Sequence, residues 1–567
     1  MRIISLHCDY IRFQPLKKAI SHPEEIQSKE ETEIQEPLVV LTAVEKGDNK
    51  QTIKDLVSSV EKTAKEVKAK DIVLYPYAHL SSNLSSPELA LSTLIETESL
   101  LRKKFKVTRA PFGYYKSFEL KCKGHPLSEL SKEFTTLSKP SKSQVIEETY
   151  NPKQLLREIS RSKLDTSKLK DNDHRILGQK LDLFSFNETA PGMVFWHNNG
   201  LIIYNELIKY WREEHKKANY EEISTPQILD KKLWQISGHW EKYKDNIFLT
   251  EYEGRDFAIK PMNCPGGILV YKSSTKSYKD LPLRVGELGI VHRQELSGVL
   301  SGLFRVVRIT QDDAHIYCTD ETLDQELINV INLVDKFYKK FNLLYRIELS
   351  TRPEKRIGDD KVWDNAEKVL EQVLKKKKIE FKINKGDGAF YGPKIDFHNK
   401  DSLGREWQGA TLQLDFAMPE RFDLNYIGKD NKRHRPIMLH RTIYGALERF
   451  IGILLEHTNG NLPLWLSPTQ VRIINFTDRN NKAVKALEEK LKEQIPNLRI
   501  DTDMTNSPVS NKVRQAELQK IPYIIVMGDK EEKSKTLAVR SRGSKPKFGI
   551  KIDSLVKEIA EKLENRN

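Results

Sequence analysis

Gln311-Asp312-Asp313-Ala314-His315-Ile316 reads as a strand with Gln311, Asp313 and His315 on one face and Asp312, Ala314 and Ile316 on the other. One sheet face thereby carries an amide, a carboxylate and an imidazole in a row. Upstream, Met262-Asn263-Cys264-Pro265 supplies a thiol; downstream, Met438-Leu439-His440-Arg441 supplies a second imidazole. Cys264, His315 and His440 form a donor set suited to zinc. Three protein ligands leave its fourth position open, which marks a working site rather than a structural one. Taken singly, the segment is also read as a polar strand on a solvated face, and Cys264 as a buried core thiol.

At 567 residues the chain is long enough for three or four domains, each with its own core. Lys and Arg number 94 against 80 Asp and Glu, a net charge of +14. That charge attracts polyanions, and it also fits a lysine-rich cytosolic protein. The four cysteines (Cys8, Cys122, Cys264, Cys318) include no CxxC pair, which argues for a reducing cytoplasm and against a secreted disulfide scaffold. Met1 to Cys8 is strand-like, without a basic start and apolar run, and no window approaches the ~18 apolar residues of a membrane span. The expected location is cytoplasmic, with no membrane partner.

The pattern predicts an α/β and α+β multidomain chain. Residues 1–135 alternate apolar strands (Met1–Cys8, Pro37–Ala43, Asp71–Tyr77, Tyr114–Cys122) with amphipathic helices over 52–68 and 87–104. Residues 136–180, rich in Ser and Lys, read as a linker with short helices. Residues 181–463 carry long strands separated by loops, as an antiparallel sheet requires. In 464–567, strand and helix alternate (Val471–Phe476, 481–494, Leu498–Thr502, 510–519, Tyr523–Met527), which predicts a mixed or parallel sheet covered by helices.

Taken in order and with their flanks, these segments resemble threonyl-tRNA synthetases of the archaeal type, and the resemblance covers nearly the whole chain. The helix around Asn205–Lys217 with Tyr220–Pro226 resembles class II motif 1, Arg284–Thr310 motif 2, and Pro436–Phe450 motif 3. Gly445 and Arg449, four apart, are expected on one face of a helix. The resemblance implies Arg293 and Arg449 as catalytic residues on the α-phosphate and on adenine and the γ-phosphate. It implies Glu295, Arg305, Gln408, Thr411 and Gln413 as further ATP contacts, and magnesium with the triphosphate. It also implies zinc on Cys264, His315 and His440, and a threonine pocket of Met262, Gln311, Asp313 and Tyr391, with Lys394 nearby. ATP, threonine and tRNA(Thr) are the implied partners, and motif 1 implies a homodimer with Pro226 at its junction.

Three N-terminal segments, Asp71–Ser82, Ala110–Lys116 and Cys122–Glu129, resemble the family's archaeal editing domain, itself similar to D-aminoacyl-tRNA deacylases. The resemblance implies hydrolysis of mischarged seryl-tRNA(Thr), assisted by the tRNA's terminal 2′-hydroxyl, with His79, Tyr115, Lys116 and Glu129 lining the pocket. Residues 464–567 resemble the class IIa anticodon-binding domain, which implies base contacts from Asn506, Arg514, Glu531 and Arg540. The stretch 533–551 adds seven Lys or Arg and no acid, suited to phosphates or to a solvated face.

Three positions depart from the family pattern. Ile309 stands where an aromatic residue usually stacks on adenine, Gly267 where a histidine is common, and Ser510-Asn511-Lys512 where a Gly-x-Lys pattern is usual. The competing reading is a non-catalytic tRNA-binding or trans-editing paralogue, which would have lost Arg293, Arg449 or a zinc ligand; this chain has all of them. An unrelated zinc hydrolase would require an HExxH-like helix, and the sequence contains none.

Overall fold

In the computed structural model, residues 1–134 and 169–567 are described, apart from Ser21, His22, Gln27, Ser82 and Leu403, together with Leu156. The chain divides into two compact units, Met1–Thr149 and Tyr150–Asn567.

In the first unit the strand Arg2–Lys18 pairs antiparallel with Leu38–Ala43 and Glu129–Glu133 along its first half, and with Thr32–Gln35 and Tyr114–Cys122 along its second. Asp71–Pro76 and Lys106–Arg109 extend the sheet in parallel. Parallel neighbours need crossovers, and the helices Lys50–Val67 and Pro87–Leu101 provide them. Asn49 caps the first helix by accepting from the Gln51 and Thr52 amides, while Pro87 opens the second behind Ser86. All four expected strands and both helices fall in observed ones. The short strands Thr32–Gln35, Lys106–Arg109 and Glu129–Glu133 lacked a readable apolar pattern because much of each faces solvent.

The second unit is built on an eight-stranded sheet. From one edge its order is Glu221–Glu222, Leu283–His292, Arg308–Cys318, Ile437–Thr442, Glu406–Asp415, Lys394–Lys400, Leu344–Ser350 and Phe381–Asn384. All neighbours run antiparallel except the two edge pairs. The helices Asn198–Lys217, Asp320–Lys340 and Leu447–Thr458 contribute Trp211, Phe337, Tyr338 and Phe450 to the core.

The C-terminal sheet is mixed: Ile500–Asp503, Val471–Asn475 and Tyr523–Met527 are parallel, and Thr536–Ser541 and Lys547–Lys551 follow antiparallel. It is joined to the central sheet within one unit. Arg499 pairs with Glu206 at 3.0 Å, Arg566 pairs with Glu213, and Arg542 Nη1 donates to the Leu462 carbonyl at 2.7 Å.

One expectation needs correction, and one falls mostly outside the described residues. Most of the expected linker with short helices, 136–180, lies outside them; its end carries one such short helix, His174–Lys180, with His174 fully buried. The His174 imidazole is held by Glu456 at 2.6 Å and accepts the Leu303 N–H at 3.0 Å. Gly445 is not on a helix with Arg449, since that helix begins at Leu447 and Gly445 adopts φ +74° in the turn before it. A Cβ there would sit 3.2 Å from the Gly409 carbonyl, so glycine serves both the turn and the close approach.

Candidate active site

The alternation of Arg308–Cys318 holds: Gln311, Asp313 and His315 line a cavity of about 230 Å³ on the sheet face they share. His440 lies directly opposite His315 in the neighbouring strand, and Cys264 opens the helix Cys264–Lys272 against both. One ligand atom from each of the three lies within 4.8 Å of the others, and all three residues are buried. His440 Nε2 donates to Asp415 Oδ2 at 2.7 Å, which leaves Nδ1 as the nitrogen that could take a metal ion.

Burial holds the His315 imidazole neutral, with His440 and Arg441 adding to the effect. Burial, then Asp313 and Asp415, push the Cys264 thiol well up. A divalent cation removes that last obstacle by stabilising the thiolate, so the donor set fits zinc. The second close cluster of donor side chains among the described residues, Asp173, His174 and Glu456, does not fit a metal. Both nitrogens of His174 are already engaged there.

Around the ligands the polar groups are tightly assigned. Asn263, fully buried, donates to Asp313 Oδ2 at 2.6 Å, and a Cβ at Gly289 would fall 2.1 Å from its Oδ1. Burial pushes Asp313 upward, while the Asn263 bond and the charge of Arg293 oppose it. Arg293 donates to the Pro261 carbonyl at 3.1 Å and to Gln311 Oε1 at 3.4 Å. The Tyr391 hydroxyl donates to Gln413 Oε1 at 2.7 Å. Met262, Gln408, Thr411 and Gln413 line the same cavity.

Glu295, Arg305, Arg449 and Lys394 are not among its lining residues. Arg305 pairs with Glu295 at 2.8 Å, and Lys394 pairs with Asp396 at 2.8 Å. Burial lowers the Arg449 guanidinium, with the like charges of Arg293 and Arg305 adding to it. Three guanidiniums that repel one another suit a polyanionic ligand.

Sequence reasoning missed the carboxylates behind the cavity. Asp312 is fully buried on the opposite strand face, where it accepts the Ile443, Tyr444 and Gly445 amides and the Trp211 indole N–H. Burial pushes it up to about 7, against the pull of Arg441 and those amides. Every one of these partners is a donor, so the site is built for the carboxylate. Asp396, 1% exposed, accepts from Gln408 (2.8 Å), Thr411 (3.0 Å), Ser350 (2.7 Å) and Lys394 (2.8 Å). The signal was available for Asp312: a carboxylate on the covered face of a sheet must find donors.

Residues 1–134 match the family described as the Archaea-specific editing domain of threonyl-tRNA synthetase. Residues 248–458 match the tRNA synthetase class II core domain (G, H, P, S and T), and residues 470–562 an anticodon binding domain. The crystal structure of the RNA binding domain of threonyl-tRNA synthetase from Cryptosporidium parvum is 36% identical, with a TM-score of 0.66; the match covers 69% of this chain and 98% of that one. The chain belongs to the threonyl-tRNA synthetase family. A threonine--tRNA ligase from Clostridium botulinum is 53% identical over 397 residues, and one from Desulforamulus reducens is 52% identical over 397. Each match covers 70% of this chain, which spans 62% of those relatives' length.

The positions that depart from the synthetase pattern sit in defined surroundings. Ile309 packs in a cluster with Val291 and Val306, against which Ala446 lies. Gly267 faces the His315 imidazole, where a Cβ would stand 3.3 Å from Nδ1. Lys512 is buried, its ammonium donating to Asn475 Oδ1 at 2.5 Å.

In the first unit a cavity of about 510 Å³ collects His79, Tyr115 and Lys116 beside Tyr75 and Phe118. Lys116 Nζ donates to the Pro111 and Tyr114 carbonyls at 2.8 and 3.2 Å, and burial pushes it down to about 8. Glu129 is not among the lining residues; it is exposed on the strand Glu129–Glu133, opposite Leu6. Of the expected anticodon contacts, Asn506 and Arg514 are exposed, Glu531 is half-buried, and Arg540 is paired with Glu517 at 2.5 Å.

Proposed function

We propose that the chain is a threonine–tRNA ligase that edits its own serine errors. The observation that carries this reading is the joint presence of Cys264, His315, His440, Asp313 and Arg293 on one cavity. A carboxylate oxygen of threonine attacks the α-phosphorus of ATP, the bond to the β-phosphate's bridging oxygen breaks, and pyrophosphate leaves; magnesium bound with the triphosphate would offset its charge. The threonyl group then passes from the adenylate to the tRNA terminus.

The protein's part is positioning and charge. Arg293 meets the α-phosphate and the substrate carboxylate with a planar fork of donors. Arg449, Arg305 and Glu295 hold the rest of the nucleotide, with Gln408, Thr411 and Gln413 at the opposite wall. Cys264, His315 and His440 would hold zinc, which would supply a Lewis-acidic anchor for threonine. Asp313, oriented by Asn263, accepts the hydroxyl proton, and Gln311, Tyr391 and Met262 enclose the amino acid.

Valine leaves Asp313 without its proton donor and is rejected. Serine keeps the hydroxyl and lacks only a methyl, worth ~1–3 kcal/mol, too little for accurate translation. Residues 1–135 supply the second sieve, with His79, Tyr115 and Lys116 around seryl-tRNA and the tRNA's 2′-hydroxyl assisting; Glu129 acts from outside the cavity lining. Residues 181–463 activate, and residues 464–567 read the anticodon with Asn506, Arg514, Glu531 and Arg540. The chain works as a cytoplasmic homodimer, in keeping with the exposed apolar residues Ile228, Leu249 and Tyr252 that follow Pro226. The described helices include none long and apolar enough to cross a membrane.

Threonine-dependent ATP–pyrophosphate exchange, with metal analysis of the purified protein, tests the reading. About one zinc per chain is expected, lost together with exchange in Cys264→Ala. A Cys264→Ala protein with full zinc and full exchange would overturn it.

A further inference from the structure

His174 is fully buried, and the reaction proposed above uses neither of its nitrogens. Its partners fix the tautomer. Nε2 accepts the Leu303 N–H at 3.0 Å, so the proton sits on Nδ1 and is donated to Glu456 Oε1 at 2.6 Å. Glu456 is itself tied down: its Oε1 also accepts the His174 N–H at 3.0 Å, and its Oε2 pairs with Arg405. The imidazole therefore bridges the helix Leu447–Thr458, which carries Glu456, to the backbone at Leu303.

Leu303 stands in a tight turn, 301–305. The Phe304 N–H donates to the Ser301 carbonyl at 2.9 Å, and the Ser301 N–H to the Arg305 carbonyl at 3.2 Å. This turn is pressed onto the imidazole. A Cβ at Gly302, where φ is +49°, would fall 2.2 Å from His174 Nε2. The Phe304 ring lies 4.2 Å from the imidazole and 4.3 Å from the Trp407 ring, centre to centre.

The same turn reaches the nucleotide residues. The Phe304 carbonyl accepts Arg449 Nε at 2.9 Å, and Arg305 follows Phe304 in the chain. A guanidinium is planar and rigid, so one bond at Nε sets the direction of its Nη edge. If that carbonyl drifts, the charge drifts with it, and a misplacement of ~1 Å costs about a hundredfold in rate. The bonds and ring contacts described for His174 include none to Met262, Gln311, Asp313 or Tyr391.

We propose that His174 is a positioning residue for ATP: it pins the turn 301–305 to the helix Leu447–Thr458, and through the Phe304 carbonyl it aims Arg449. The proposal rests on the reading of Arg449 and Arg305 as nucleotide contacts. Threonine binding lies outside its reach. A residue that only filled the core would, when replaced, loosen ATP and threonine alike.

Threonine-dependent ATP–pyrophosphate exchange by the full chain, with each substrate varied in turn, separates these cases. His174→Phe keeps a ring against Phe304 and loses both hydrogen bonds. Its KM for ATP should rise by about tenfold or more, with the KM for threonine and the zinc content unchanged. In His174→Gln the side-chain amide can still accept from Leu303 and donate to Glu456, so most of the affinity for ATP should return. Gly302→Ala leaves the imidazole intact but wedges the turn away from Nε2. It should raise the KM for ATP as His174→Phe does, and it carries the test if His174→Phe fails to fold. A parent chain without threonine-dependent exchange would sink the proposed function itself. A parent that exchanges, beside variants that keep its KM for ATP or lose ATP and threonine together, overturns the positioning role alone.

Discussion

Lys116 faces opposite demands from folding and from chemistry. Burial lowers it to about 8, whereas an unfolded lysine titrates near ~10.4. Below the folded value both states are protonated and the folded state bears the cost of a buried charge. Between the two values the unfolded chain binds more protons, so stability of the first unit should rise with pH there. Any step that needs the ammonium should fall over the same rise. Seryl-tRNA hydrolysis, followed from about pH 6 to about pH 10, is therefore expected to decline around pH 8 while thermal stability climbs. Lys116→Ala should give a low, flat hydrolysis profile; a decline that persists in that variant would assign the titration to another group. At the active site, Arg293→Ala and Arg449→Ala should each slow adenylate formation by roughly two to three orders of magnitude, through loss of charge-assisted contacts to phosphate. Rapid-quench measurement of adenylation checks both.

Among the elements, adjacent strands divide the work of holding the site. Asp415 ends the strand Glu406–Asp415, with Oδ2 on His440 and Oδ1 accepting the Ala417 and Met418 amides that open the next helix. Asp396, one strand further across the sheet, holds Gln408 and Thr411. Asp415→Asn should weaken zinc affinity by ~10–100-fold, since carboxylate partners orient metal-bound imidazoles. Asp396→Asn should leave zinc in place and raise the KM for ATP by roughly tenfold or more, because one amide oxygen cannot serve four donors. Chelator competition and exchange kinetics on both variants would show that crossed pattern, and equal zinc loss in both would refute the division. The strand alternation that exposes Asp313 was legible from residue order alone. Asp396 was not, because its four partners come from three different strands.

For the whole molecule, the burial of His174 changes where the chain can be cut. A chain beginning at Leu181 would lose the helix His174–Lys180 and leave Glu456 without its imidazole partner. One beginning at Lys170 keeps both. That shortened chain should activate threonine normally and accumulate seryl-tRNA when serine is supplied, a result read by acid-gel analysis of the charged tRNA. If no seryl-tRNA appears, the synthetic site distinguishes the missing methyl unaided and the first unit has another task. Light scattering of the full chain should give about twice 65.7 kDa, as a homodimer requires.

Residue order alone carried the chemical inventory: the thiol and imidazoles of Cys264, His315 and His440, the strand face that holds Gln311 and Asp313, and the helix–strand rhythm of both ends. These are local properties, since strand periodicity and residue type are written in consecutive positions. Tertiary structure decided what depends on residues far apart in the chain. It turned Gly445 into a turn residue, because Asp312 from another strand captures its amide. It set His174, in one of the short helices expected there, into the core through Glu456. It placed Glu129 outside the cavity that collects Lys116, because antiparallel register with Leu6 sets where that strand lies. In each case the deciding hydrogen bond or strand pairing joins segments whose separation in sequence hides the partner that burial makes obligatory.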